Sequence, residues 1–419
     1  MIPRFPYESL AAKERISLGL PVVLSGGCPL AANATDWSYS HLANVVRADF
    51  QADVYVSRTN RFMYSDDSKN RGGYAFTPPT RKTTMTFGEF ADGFVVSDGG
   101  GPVEENKYLQ SSVVAEMGPE MIKEYSSKFN LEYALLYKVV GDWDALTTNL
   151  LLCGPQGAVT PLHFDEQQNM FAQLWGQKRV RLFPPDAFPR LYPFPMGHPC
   201  DRQSQVKLPE TPGSLELETE EDRRRFPGFA LLGAAEQHSE VYTDLNPGEV
   251  LYVPQYWWHQ MEALTDNTSL SWWYKDTTKA SRAVTVDGEG KHKVDEAVVN
   301  LVAVRRNVEN LIASSLSPKA AHWFFLAVAA GMVDFPESNA DAEPEAEAEA
   351  AWTPLVADAA QREAVLPHLD PSWPDVLLQA YNMVRLLPFF SSHSKAKAFL
   401  RGLVQGRFNS VTLRAASDS

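Results

Sequence analysis

Between residues 147 and 275 the chain is written in short runs of β-branched and aromatic residues, broken repeatedly by Gly, Pro, Asp or Asn. Asn149–Cys153, Asn169–Trp175, Arg179–Phe183, Val250–Pro254 and Ser269–Tyr274 are the clearest of these runs. Such side chains suit a pleated, half-buried surface, and the turn formers between them send the chain back on itself. Many short strands with punctuating turns predict a β-sandwich or barrel. The same stretch holds a long break, residues 184–240, rich in Pro and charge. A connection of that length is usually functional or unordered.

Around this block the pattern changes. Pro21–Leu24 and Asp53–Val56 read as strands, and helices are expected to start near Trp37 and over Thr86–Ala91. From about residue 294 the period becomes helical. Val298, Leu301, Val302, Val308, Leu311 and Ile312 recur at helical spacing, which leaves Arg305, Arg306 and Glu309 on other faces. Two more amphipathic segments follow, 375–388 and 395–405. Between them and the first lies an acidic tract, 336–351, too poor in apolar surface to offset its ordering entropy, which reads as a solvated linker. The division expected is an α/β flank (1–105), a β core with its insertion (106–290) and a helical C-terminal region (291–419). Those last helices either pack on the barrel or pair with a second copy.

Charge and cysteine content narrow the partners. The 52 Asp+Glu residues outnumber 38 Lys+Arg, for a net charge of −14. An acidic field repels a phosphate backbone, so nucleic acid is not expected as the main partner. Cys28, Cys153 and Cys200 have neither metal-finger spacing nor the even count of a disulfide framework, which predicts a reducing compartment. The first residues lack the apolar core of a secretion signal, and the apolar run Trp323–Val333 is too short to span a bilayer. The expected location is cytoplasm or nucleus, with no membrane.

The string Thr160-Pro-Leu-His163-Phe-Asp165-Glu-Gln-Gln-Asn169 carries the chemistry. On a strand, side chains two apart share a face, so His163 and Asp165 can grip one ion. His259, in Tyr256-Trp-Trp-His259, follows the strand ending at Pro254 and offers a third ligand. Two histidines and a carboxylate on one face of an octahedron form the facial triad of non-haem Fe(II) oxygenases. Such a site needs a cation for an acidic co-substrate. Lys178, at the start of a strand, is the candidate, with Thr160 and Tyr108 as hydroxyl donors; Arg179 points the other way. His198 and Cys200 form a soft pair without the further thiolates a metal would require.

These strings resemble the JmjC-type 2-oxoglutarate oxygenases, and among them the asparaginyl hydroxylases of the factor-inhibiting-HIF type. The likeness rests on Asn149-Leu-Leu-Leu152, Thr160 through Asn169, Phe171-Ala-Gln173, Lys178-Arg179, Leu182-Phe-Pro-Pro-Asp186, Leu191-Tyr-Pro193, His198-Pro-Cys-Asp-Arg-Gln-Ser-Gln-Val206, Tyr256 through His259 and Trp273-Tyr-Lys275. It implies a mainly β fold with flanking helices: a double-stranded β-helix (jelly-roll, cupin/JmjC) core and a C-terminal helical dimerisation region. It implies Fe(II) on His163, Asp165 and His259, and 2-oxoglutarate and O₂ as co-substrates. Lys178, Thr160 and Tyr108 would hold the distal carboxylate of 2-oxoglutarate, with Asn169 near its metal-binding end and Leu152 and Trp273 as walls. Tyr55, Tyr64, Asp66, Gln110, Arg202 and Gln203 would meet the protein substrate, an Asn in an ankyrin-repeat or HIF-like segment. The resemblance also implies a homodimer. Where the family has Asn-Phe-Trp, this chain has Ser271-Trp272-Trp273, and the shorter hydroxyl implies a co-substrate contact that is lost or bridged by water. A hydroxylase for His or Asp, or a non-catalytic cupin-like peptide-binding module, are the alternatives.

Overall fold

The computed structural model describes residues 1–71, 73–93, 105–129, 143–234, 240–276, 283–286, 292–295, 301–329, 371–385, 393–404, 407 and 411–413. The acidic tract 336–351 lies outside the described residues. In chain order the strands up to residue 274 are β1 (Arg4–Pro6), β2 (Val22–Ser25), β3 (Gln51–Ser57), β4 (Tyr74–Ala75), β5 (Thr80–Thr86), β6 (Asn106–Ser111), β7 (Leu146–Gly154), β8 (Val159–Phe164), β9 (Gln168–Trp175), β10 (Lys178–Phe183), β11 (Val241–Leu245), β12 (Val250–Val253), β13 (Trp258–Ala263) and β14 (Asn267–Tyr274).

Two sheets face each other. The larger runs β1-β2-β12-β9-β14-β7-β6-β3-β5 and the smaller β11-β10-β13-β8. This is the jelly-roll, and the larger sheet takes β1, β2, β3 and β5 from before residue 105. Period-two alternation sorts each strand between two faces. Along β9, Met170, Ala172 and Leu174 face outward into a core shared with Trp37, Leu42 and Phe90, while Phe171 faces the lumen with Val180, Leu182, Leu251 and Val253. The outer core is roofed by α1 (Leu10–Ser17), α2 (Tyr39–Val45), α3 (Phe87–Asp92) and α4 (Pro119–Lys128). Ser9 and Ser38 cap the first two of these, and Thr86 with Glu89 forms a capping box on the third.

Three features set the site. Gly176, at φ +68°, makes the corner by which the chain leaves β9 for the opposite sheet; a Cβ there would fall 1.9 Å from the Asp266 carbonyl oxygen. That corner turns Lys178 into the lumen and leaves Arg179 outside, paired with Asp244 at 2.8 Å. A bulge interrupts the β8–β13 pairing. His163 faces His259 and Thr160 faces Met261, so three steps on β8 match two on β13. The extra residue lets Thr160 and His163, an odd number apart, both look inward.

The insertion is irregular yet ordered. Leu191, Tyr192, Val206, Leu208, Phe226 and Phe229 pack against the outer face of the smaller sheet through Phe164, Phe183 and Trp258. It contains α5 (Glu220–Arg225). The C-terminal helices α6 (Leu301–Ser315), α7 (Pro318–Ala329), α8 (Trp373–Arg385) and α9 (His393–Val404) enclose a core of their own around Val308, Ile312, Phe324, Leu377 and Leu400. The other side of α6 is not solvated. Arg305 and Glu309 are buried, and the Arg306 side chain is 11% exposed. These charges, expected off the apolar stripe, meet the insertion: Arg306 bonds Asp201 and Glu309 bonds the Met196 amide. Among the described residues no helix is long and apolar enough to cross a membrane.

Candidate metal centre

His163, Asp165 and His259 come together at one mouth of the lumen, their ligand atoms within 4.8 Å of one another. His163 is the last but one residue of β8, Asp165 is the first residue beyond that strand, and His259, expected just after the strand ending at Pro254, is the second residue of β13. The two imidazoles are cross-strand partners with ring centroids 4.1 Å apart. Each turns Nδ1 onto the carbonyl two residues back: Pro161 at 2.8 Å for His163 and Trp257 at 3.0 Å for His259. A carbonyl only accepts, so each Nδ1 carries the proton, and each Nε2 is left with its lone pair free for a metal.

The electrostatics match that assignment. Burial, reinforced by the neighbouring His259, pushes the His163 pKa down to about 4, so its ring is neutral at pH 7. Burial alone would raise Asp165; His259, His163 and Arg202 outweigh it and hold the carboxyl below its ordinary value. The Trp273 indole N–H donates to Asp165 Oδ2 at 2.9 Å, and the Tyr256 amide donates to its backbone carbonyl at 2.8 Å. Trp273, expected as a wall, therefore also orients a ligand. Two imidazoles, each with its Nδ1 already committed to a backbone carbonyl, and one carboxylate fit a divalent transition metal.

Deeper in the lumen, Lys178 is 1% exposed. Its ammonium donates to the Tyr108 hydroxyl at 3.1 Å and lies 5.1 Å from the centre of the Phe171 ring. Among the described residues no carboxylate is paired with it, and burial drives its pKa down to about 7. Tyr108 in turn bonds Thr160 and packs on Phe62, with ring centroids 5.2 Å apart. Leu152 lines the same lumen. The Asn169 Oδ1 and Ser271 Oγ are buried and have no partner among the described residues. Both sit on inward positions of neighbouring strands, Ser271 opposite Phe171 and Trp273 opposite Asn169. A lone buried cation and two unsatisfied polar atoms are what a polar ligand would complete.

A cleft of about 560 Å³ opens over the metal ligands. Tyr55, Tyr64, Gln110, Arg202 and Gln203 line it. Arg202 and Gln203 arrive on a short extension of the smaller sheet: Arg202 O accepts from the Phe164 amide at 3.1 Å, and Gln203 bridges His163. Arg202, at φ +74°, sits 3.7 Å from Asp165. Asp66 is not brought to the cleft wall. Its carboxylate accepts from the Ser68 amide and hydroxyl, at 3.0 and 2.6 Å, as a cap for the turn that follows. His198 and Cys200 bond each other through Nδ1 and the backbone amide at 3.0 Å, amid aromatic rings, and form no metal pair. Phe62 and Arg306 were not anticipated. The first had no periodic neighbour to flag it, and the second is taken up below.

A family model described as a cupin-like domain matches residues 8–280. The chain belongs to this cupin-like family. Among curated proteins, this cupin-like chain is 37% identical over 131 residues to lysine-specific demethylase 8 of Xenopus tropicalis, covering 31% of this chain and 26% of that protein. It is 34% identical over 128 residues to lysine-specific demethylase JMJ30 of Arabidopsis thaliana, covering 30% and 26%. It is 31% identical over 166 residues to HSPB1-associated protein 1 of Homo sapiens, covering 38% and 28%. The matched stretches span less than a third of each relative. Fold and family model agree on a cupin-like domain, and two of the three relatives are named as lysine-specific demethylases.

Proposed function

We propose that this cupin-like chain is an Fe(II)- and 2-oxoglutarate-dependent protein hydroxylase that acts on the β-carbon of Asn in an ankyrin-repeat or HIF-like segment. The observation that carries the reading is one lumen with a His-Asp-His cluster at its mouth and, further in, a buried lysine that meets no carboxylate among the described residues. His259 and Lys178 project from the same sheet, with Lys178 opposite Ala263, four residues along β13 from His259. That is roughly 13 Å at ~3.3 Å per residue. The lysine's own stem shortens the gap, leaving room for a small dicarboxylate with one end at each site.

Bound Fe(II), with 2-oxoglutarate and O₂, supplies the oxidant that places one oxygen atom in a C–H bond as 2-oxoglutarate becomes succinate and CO₂. The chain's residues prepare for this. His163, Asp165 and His259 hold the ion. Lys178 and Tyr108 fix the distal carboxylate, Asn169 and Ser271 offer polar contacts along the molecule, and Leu152 and Phe171 exclude water. Arg202, Gln203, Tyr55, Tyr64 and Gln110 orient the peptide over the metal. The resemblance further supports a homodimer through the C-terminal helices.

The names of the relatives favour a second reading, removal of a methyl group from lysine. One assay separates the two. An ankyrin-repeat peptide and a methyl-lysine peptide are incubated with protein, Fe(II), ascorbate and 2-oxoglutarate, with His163→Ala as control. A stable gain of one oxygen on Asn supports the proposal. Loss of a methyl group with formaldehyde release supports the alternative. Iron-loaded protein that forms neither product nor succinate refutes both and leaves a binding module.

A further inference from the structure

We infer that Arg306, on the C-terminal helix α6, is a positioning residue that locks the metal-bearing loop and the substrate-contacting segment into one unit. The inference rests on the metal reading above. Arg306 touches both elements at once. Its Nε donates to Glu166 Oε1 at 2.5 Å, next in sequence to the ligand Asp165. Its two terminal nitrogens donate to both oxygens of Asp201, at 2.8 and 3.1 Å, next in sequence to Arg202 and Gln203. The guanidinium also lies over the Phe164 ring, 5.5 Å from its centre. Phe164, Asp165 and Glu166 are consecutive, so one planar cation touches the residues on both sides of a metal ligand.

The chemistry suits a fork, not a point charge. A guanidinium makes parallel bonds to one carboxylate while its remaining edge reaches a second. The Arg306 and Asp201 side chains are 11% and 7% exposed, so the pair is held in a poorly screened place. The helix adds a second tether. Glu309 accepts from the Met196 amide at 3.1 Å and pairs with the buried Arg407. Arg407 Nε in turn donates to the Pro193 carbonyl at 2.9 Å. The strand-like segment that carries Arg202 and Gln203 is therefore held from behind by a helix outside the barrel. A triad whose carboxylate sits on the first residue past a strand needs that support, because Asp165 has left the β8–β13 pairing.

A merely structural role predicts lost stability and an unchanged metal site; a positioning role predicts a changed site. Full-length metal-free protein is titrated with Co(II), whose visible spectrum reports its coordination. Arg306→Ala is expected to weaken Co(II) binding ~10–100-fold, as outer-shell substitutions do, and to shift the spectrum. Arg306→Lys recovers part of the affinity by keeping charge without the fork. Glu166→Gln and Asp201→Asn, milder changes, are each expected to shift the spectrum in the same direction. Arg181→Ala is the control: it breaks the buried Arg181–Glu240 pair at 2.6 Å on the far side of the smaller sheet and is expected to lower stability with the Co(II) spectrum unchanged. Arg306→Ala with wild-type Co(II) affinity and spectrum overturns the inference. Wild-type protein that binds Co(II) yet oxidises no substrate removes the hydroxylase assignment and leaves the role of Arg306 standing.

Discussion

Two buried cations bracket the candidate site, and the fold treats them in opposite ways. Arg306 meets two carboxylates, and although burial alone would lower its pKa, Asp201 and Glu166 raise it above the ordinary value. Lys178 meets a phenol and an aromatic ring, and its pKa falls to about 7. A cation given its partners inside the chain is a fastener. A cation denied them, in a lumen with free polar atoms, is prepared for a ligand. The same kind of charge thus marks structure at one place and function at another, and only the company it keeps distinguishes them.

The comparison breaks most completely at the ion between the two cations. Asp165→Ala is expected to abolish metal-dependent turnover while leaving the far-ultraviolet circular dichroism intact; retained turnover would dissolve the triad and the meaning given to Lys178. Next in size, Lys178→Met removes a charge-assisted bond worth ~1.5–3 kcal/mol. The apparent 2-oxoglutarate requirement is expected to rise about 10–150-fold, measured by succinate formation. An unchanged requirement would mean that another cation holds the co-substrate.

Stability against pH sharpens the same contrast. Lys178 has a folded pKa of about 7 against an ordinary 10.5. Between those values the unfolded chain binds the extra proton, so this group makes stability increase as pH rises from about 7 towards 10.5. The slope approaches about 1.4 kcal/mol per pH unit. Urea unfolding of the metal-free protein across that window should show the slope in wild type and lose it in Lys178→Met. Smallest of all, Ser271→Ala deletes a buried hydroxyl without a partner and is expected to change stability by less than about 0.5 kcal/mol. A larger loss would mean that the hydroxyl is already satisfied.

The sequence was legible where one rule governed one residue. Asn169–Trp175 and Arg179–Phe183 are compact runs of strand-forming residues, and their strands begin within a residue of the expected bounds. The ligand strands were harder. Pro161 interrupts β8, and the bulge sets Thr160 and His163 on one face against the period-two rule. His259 stood beyond a strand in the pattern because Tyr256, at φ +65°, makes a tight turn between two strands that reads as one loop. The charges of α6 were least legible. Helical spacing tells which residues share a stripe, not whether the opposite stripe meets water or another segment. Arg306 takes its meaning from Glu166 and Asp201, over a hundred positions away.

The hydrogen bonds made by the two ligand histidines carry a lesson for how this pocket can change. Each ring is anchored at Nδ1 by a backbone carbonyl two residues back, Pro161 within β8 and Trp257 just before β13. The arrangement is therefore inherited with the strand, whatever amino acids surround it. Lining residues such as Tyr55, Gln110, Gln203 or Ser271 can be exchanged while both histidines keep the same face towards the ion. A metal centre built in this way is modular: the backbone holds the histidines, and the lining around them is free to change.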